Sequence, residues 1–161
     1  MRPNLIGSAL RGSWRDNPPA PQLSAAELNE IAPLLTGSGT AALCWWAVRS
    51  SELCEEAEAL ALKQAYRLYT LRSAVSESHI KKAISLLRSE GIEPLLLKGW
   101  ANARLYPETG LRPYSDIDLL VRPEHHELAL RLMDTDEGRR YGVDLQHAEF
   151  SRLTPAEMEG L

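Results

Sequence analysis

The sequence predicts an α/β (α+β) fold in which an N-terminal helical region packs on a small mixed β-sheet. Three observations predict it. From Leu28 to Leu87 apolar residues recur three and four apart, which is the period of a helix. From residue 92 onward the texture changes to short apolar runs that alternate and are bounded by glycine or proline, as strands are. Between the last two of those runs the segment HHELALRLM returns to helical spacing, so helix and strand are interleaved in this half.

Residues 1–22 hold Pro3, Gly7, Gly12, Pro18, Pro19 and Pro21 with little periodicity. Such a composition buries too little surface to offset its ordering entropy, and a flexible leader is expected. A helical region over 23–91 follows. Ser24 with Glu27 makes a capping-box pattern ahead of Leu28, Ile31 and Leu35, which predicts a short helix, bent near Pro33 and stopped by Gly37-Ser38-Gly39. Thr40 to Arg49 reads as a second, buried helix. Its adjacent Trp45 and Trp46 point about 100° apart, so both lie inside only if the helix is packed on two sides.

Helical spacing resumes through Leu53, Ala57, Leu60, Ala61, Ala65, Leu68 and Leu71, and again through Ile80, Ala83, Ile84 and Leu87. One long helix, or two broken near Ser76-Glu77-Ser78, is expected, with Gly91 as its C-terminal cap. Lys63, Arg67, Lys81 and Lys82 read as its solvated face. The remaining region, 92–161, opens with IEPLLLKG as a short strand ending in glycine, then a helix-like WANARLYP. In SDIDLLVR the alternation puts Asp116, Asp118 and Leu120 on one face and Ile117, Leu119 and Val121 on the other. Pro123 takes a first helical position before HHELALRLM, and Gly138 to Gly142 turn the chain toward a third strand, GVDLQHAEF. Thr154-Pro155-Ala156-Glu157 has the form of a helix start with four residues left after it, so a truncated chain or a missing C-terminal module is expected.

The 161 residues, 44% of them apolar, suit one domain or one domain with an appendage, and not two independent cores. A formal charge of -4 excludes the chain-wide basic surface that holds duplex nucleic acid. The longest apolar run, Ala41 to Val48, falls far short of the ~20 residues that span a bilayer. The N-terminus has no sustained apolar core or cleavage pattern of a signal peptide, so a cytoplasmic location is expected. Cys44 and Cys54 fall on predicted helices without a CxxC or matching His spacing, and read as reduced thiols rather than a disulfide or zinc site.

Chemistry concentrates around Asp116 and Asp118. Two residues apart on a strand, they leave the same face with α-carbons ~7 Å apart. Two charges at that distance repel by roughly 2 kcal/mol at an effective dielectric near 20, and a hard divalent ion reverses the sign. Mg²⁺ takes a few carboxylates and keeps its other positions for water and phosphate oxygens. Upstream, Lys98-Gly99 ends a strand and opens a helix, an arrangement that lets backbone N–H groups and an ammonium approach a phosphate. Downstream, Asp144 becomes a third ligand on the same face if its strand pairs beside SDIDLLV. Arg112 either steers a triphosphate or pairs with a nearby carboxylate. His125 and His126, followed by Glu127, lack the HExxH spacing, so the two histidines read as solvated, and Trp100 reads as core. Strand-glycine-helix, DxD strand, helix and Asp strand together suit two-metal phosphoryl chemistry.

The run LLLKGWANARLYPETGLRPYSDIDLLVRPE resembles the nucleotidyltransferase superfamily of the DNA polymerase beta type, within it a branch of uncharacterised bacterial nucleotidyltransferases with a Lys-Gly motif. Lys98, Gly99, Tyr106, Pro107, Gly110, Arg112, Asp116 and Asp118 stand in that branch's order. The resemblance implies a mixed-sheet core in which Asp116, Asp118 and Asp144 hold catalytic Mg²⁺. It also implies transfer of a nucleoside monophosphate from ATP or another triphosphate to a hydroxyl, with Asp144 aiding deprotonation of the acceptor and Lys98, Gly99 and Arg112 meeting phosphate. Two positions depart from the pattern. Gly99-Trp100 replaces the Gly-Ser of better-characterised members, leaving Lys98 in place of the serine contact. Gln146 stands where relatives often carry the His of VDLH, and His147, one place later, faces the other side of its strand.

The expected function is Mg²⁺-dependent nucleotidyl transfer to a small-molecule or protein hydroxyl; the charge disfavours a long nucleic acid as acceptor. An inactive nucleotidyltransferase-like binding module is the alternative, and a helical interaction protein with a merely superficial DxD is a third reading. A homo-oligomer is compatible with all three, since an unfinished sheet or helix leaves an edge that invites pairing.

Overall fold

Ser24 starts the helical half as its pattern predicts. Its hydroxyl accepts from the Glu27 backbone N–H at 3.3 Å while the Glu27 carboxylate accepts from the Ser24 backbone N–H at 3.0 Å, closing both halves of a capping box. The structure, a computed structural model, describes residues 3–147. It divides into two compact units, one of Met1–Ser73 with Ala103–Pro113 and one of Ala74–Asn102 with Tyr114–Leu161.

The first unit packs α1 (Pro3–Leu10), α2 (Ala25–Gly37), α3 (Ala41–Val48) and the first half of α4 (Ala57–Ser89) around Leu5, Leu28, Leu35, Val48 and Leu62. Within the leader expected over 1–22, residues 3–10 form a helix and 11–22 are turn and loop. Leu5 and Ala9, four apart, are buried in this core, with Ile6 and Leu10 packed against it. The prolines and glycines scattered through 1–22 obscure this one-face pattern, which spans only two turns. The loop after α1 is tied down as well: the Trp46 indole donates to the Arg15 carbonyl at 2.9 Å and the Arg49 guanidinium to the Asp16 carbonyl at 3.2 Å. Trp45 is therefore buried and Trp46 half-buried, its ring under the Arg49 guanidinium at 3.2 Å from the centroid. Lys63 departs from the solvated face expected for it and lies over the Trp45 ring at 5.0 Å.

Both cysteines are free. Burial pushes the Cys44 thiol up to about 12, whereas Cys54 is half-buried. At pH 8 a thiol at that value has a thiolate fraction roughly a thousandfold below that of an ordinary one. A disulfide-exchange reagent is accordingly expected to modify Cys54 in the native protein and Cys44 only in denaturant. Equal labelling rates for the two would show that Cys44 is not enclosed.

Helix α4 runs unbroken through Ser76-Glu77-Ser78, where Glu77 pairs with Lys81 one turn on at 2.8 Å. Its end is a Schellman-type cap. Gly91 takes φ 75°, and the Ile92 N–H returns to the Leu87 carbonyl at 3.1 Å while both side chains are buried. That turn delivers the chain into the sheet of the second unit, ordered β1 (Leu95–Leu96), β2 (Ile117–Val121), β3 (Val143–His147). β1 is antiparallel to β2 and β2 parallel to β3, so the sheet is mixed as expected. β1 is shorter than IEPLLLKG suggested, because Pro94 has no N–H to offer and the backbone turns away at Lys98.

All five residues of β2 are buried. Ile117, Leu119 and Val121 join a core with Ile80, Ala83 and Leu87 of α4 and Ala129 and Met133 of α6 (His126–Met133). The chain crosses from β2 to the parallel β3 through α6, flanked by single 3-10 turns at Pro123–His125 and Gly138–Tyr141. Residues 148–150, the end of the expected third strand, and the Thr154-Pro155-Ala156-Glu157 helix start lie outside the described residues. Among the described residues no helix is long and apolar enough to cross a membrane.

Candidate active site

Between β1 and α5 (Lys98–Ala103) the chain must reverse within one residue, and Lys98 does so in the left-handed region at φ 43°. A side chain that is not glycine, asparagine or aspartate seldom adopts this conformation, which costs about 1–2 kcal/mol and persists where surrounding structure demands it. The demand is visible at its tip. The Lys98 ammonium lies 2.9 Å from Asp118 Oδ1, the lysine side chain 60% exposed and the aspartate 2%.

Asp118 sits at the middle strand and is held on three sides. Its backbone carbonyl accepts from the Leu97 N–H at 2.9 Å, and its Oδ1 accepts from the Gln146 side-chain amide at 2.9 Å as well as from Lys98. Its Oδ2 is buried with no hydrogen-bond partner among the described residues. A buried carboxylate oxygen left without a donor costs free energy, and native proteins rarely keep one without a use.

The parallel register sets Asp118 directly beside Asp144 and Leu120 beside Gln146. Neighbouring strands lie about 4.8 Å apart, so Asp118, Asp144 and Gln146 share one face. Asp116, two residues before Asp118, is exposed, as is Asp144. Hydrogen bonding to Asp118 raises the Lys98 ammonium above its ordinary value, with added Coulombic support from Asp118, Asp144 and Asp116. A raised folded-state value means that the contribution of this pair is complete below the ordinary lysine range and is lost only as pH rises through the folded value, so the pair is intact at neutral pH. By side-chain count the site sets three carboxyl groups against one ammonium.

Among the described residues no group of three or more His, Cys, Asp or Glu side chains is placed to hold a metal ion. What the site offers is one buried, unpartnered oxygen on Asp118 and two solvent-facing carboxylates. That set fits a hard dication held by one or two carboxylates and completed by water and phosphate oxygens, and does not fit a fully protein-ligated ion.

Of the residues singled out in the sequence, Lys98, Asp116, Asp118 and Asp144 are thus gathered within the second unit. Gly99 is in it too, with a packing role: a Cβ there would meet Tyr114 Cβ at 3.1 Å and the Asp116 carbonyl at 3.4 Å. Arg112 belongs to the first unit and is half-buried. Gln146 was visible in the sequence only as a departure from VDLH. Its place two residues beyond Asp144 on the same strand is the signal that puts it on the acidic face. His147 faces the other way, edge-on to His126 with ring centroids 4.6 Å apart. His125 and His126 are half-buried rather than solvated as expected, since α6 packs against β3. Trp100 packs against the core.

No curated protein and no solved structure matches the chain. A family model does, over residues 10–159, which takes in both units and every residue of the acidic site, and the chain belongs to that family, described as uncharacterised nucleotidyltransferase.

Proposed function

We propose that the protein transfers a nucleoside monophosphate from a nucleoside triphosphate to a hydroxyl on a small molecule or a protein, with Mg²⁺ at the acidic site. The observation that carries this reading is the Asp118 carboxylate, fixed through Oδ1, with Oδ2 free and Asp144 beside it in register. Asp118, with Asp144 or Asp116 as a second carboxylate, would hold the ion, and Mg²⁺ bound there would supply charge neutralisation at the α-phosphate and the departing pyrophosphate. Gln146 keeps Asp118 in a single orientation. Asp144, exposed at the adjacent strand, is the group suited to take the acceptor's proton. Lys98 supplies positive charge to the phosphates, while Gly99 lets Tyr114 and the backbone at Asp116 pack closely. Such a site works by positioning and charge compensation rather than by forming a covalent intermediate. The two free thiols suit a reducing compartment, in keeping with a cytoplasmic enzyme.

One observation favours the second reading, an inactive module that binds nucleotide without turnover: Lys98 already neutralises part of the acidic set. Incubation with Mg²⁺ and each α-labelled triphosphate, with a panel of hydroxyl compounds and the protein itself as acceptors, separates the two. Labelled product and released pyrophosphate, both Mg²⁺-dependent, are the expected result. A Mg²⁺-triphosphate shift in melting temperature without product would support the inactive module. Absence of both would remove the nucleotide site altogether, because a ligand at a hundred times its dissociation constant stabilises by about 2.7 kcal/mol and is readily seen.

A further inference from the structure

The two oxygens of Asp118 are treated differently by the fold. Oδ1 receives two donors, the Lys98 ammonium and the Gln146 amide, each at 2.9 Å, and Oδ2 receives none among the described residues. Either donor alone would orient the carboxylate. The second becomes intelligible if one of the two leaves, and only one is built to leave. Gln146 is fixed on β3 by the parallel register, whereas the Lys98 side chain is 60% exposed on an unbranched four-carbon stem. Its head is already open to solvent, so it can swing away from Asp118. The backbone at Lys98 is nevertheless held at φ 43°, where glycine would be unstrained, so the position keeps an ammonium at a conformational cost.

Resting on the reading of the site as a nucleotidyl-transfer centre, we infer that Lys98 is a built-in counter-ion that guards Asp118 against a free divalent cation and turns to phosphate only when the cation arrives on a polyphosphate. A free dication near Oδ2 meets the ammonium as a like charge within a few ångströms. A metal-bound triphosphate brings net negative charge of its own, which attracts the same ammonium away from Oδ1, and Gln146 then holds the carboxylate unaided.

Lys98→Met tests this, because methionine retains an unbranched stem and the same left-handed strain while removing the charge. The probes are Mn²⁺ alone, titrated by its electron paramagnetic resonance signal, and Mn²⁺ with the α,β-methylene analogue of ATP. K98M is expected to bind Mn²⁺ alone about tenfold or more tighter than wild type and the Mn²⁺-analogue complex about tenfold weaker. Lys98→Arg should keep the wild-type preference, and melting curves establish that each variant is folded. Asp118→Asn, made in both backgrounds, locates the site. If D118N weakens Mn²⁺ binding in both and K98M binds free Mn²⁺ no tighter than wild type, the cation site stands and the counter-ion role is overturned. If D118N changes nothing, or no form binds Mn²⁺, the reading of the site as a cation centre fails and the inference with it.

Discussion

Asp118→Asn is expected to reduce nucleotidyl transfer by about a thousandfold while leaving the fold in place. The reasoning turns on which carboxylate oxygen survives as an acceptor. Asparagine has the same shape, and its carbonyl oxygen can take the Oδ1 position, where it still accepts from Lys98 and Gln146. The amide nitrogen then falls at Oδ2, and a hydrogen-bond donor replaces the one acceptor left open in the wild type. The local packing is unchanged, but the atom the proposed chemistry needs has been inverted. Asp118→Ala would lose activity as well, yet it would strand two donors beside a buried strand and cost stability, which confuses the two effects. The decisive comparison is activity against melting temperature for D118N. Transfer within tenfold of wild type in a folded D118N would remove Asp118 from the machinery.

Parity made part of this site legible. The alternation predicts Asp116 and Asp118 on one strand face with Asp144 beside them if the strands pair; the Asp118–Asp144 register meets the second condition, whereas β2 begins at Ile117 and leaves Asp116 just ahead of the strand. The same parity rule places Gln146 there, but a neutral amide carries no chemistry of its own and draws attention only once its partner is seen. Nothing in the sequence announces the left-handed backbone at Lys98, since that conformation is imposed by the reversal between β1 and α5 and not by the residue's own preference. In the helical half, the capping box and the Gly91 turn were readable because each is a local rule. Whether α4 was one helix or two was not, because Ser76 and Ser78 are weak helix formers rather than breakers and packing decides the outcome. Within the expected leader, Pro3–Leu10 follows the opposite balance. Its composition is that of a loop, yet Leu5 and Ala9 are buried against α2 and α3, and tertiary burial outweighs local composition.

Gly110→Ala should destabilise the first unit by about 3 kcal/mol or more, lowering the melting temperature by roughly 6–12 °C. Two independent penalties fall on the same methyl group. Gly110 adopts φ 90°, outside the range that an alanine takes without strain. A Cβ built there would also lie 2.7 Å from the Thr70 backbone nitrogen and 2.9 Å from its α-carbon, besides meeting the Thr70 hydroxyl. The hydroxyl could rotate, but the backbone atoms belong to the middle of α4 and cannot move without opening helical hydrogen bonds. The contact is also held from the other side, where Thr70 Oγ1 donates to the Thr109 carbonyl at 3.1 Å and keeps the 103–113 segment against the helix. Glycine at this point of the Gly-x-Arg run is therefore explained by close approach of two backbones, with no appeal to phosphate. A neighbouring change that leaves both constraints intact, Thr109→Ser, should shift the melting temperature by no more than a degree or two. If G110A melted with wild type, the 103–113 segment would not be seated on α4 as described. If instead G110A unfolded early, nucleotide binding to it should fall only in proportion to the folded fraction, whereas D118N removes turnover from protein that remains folded.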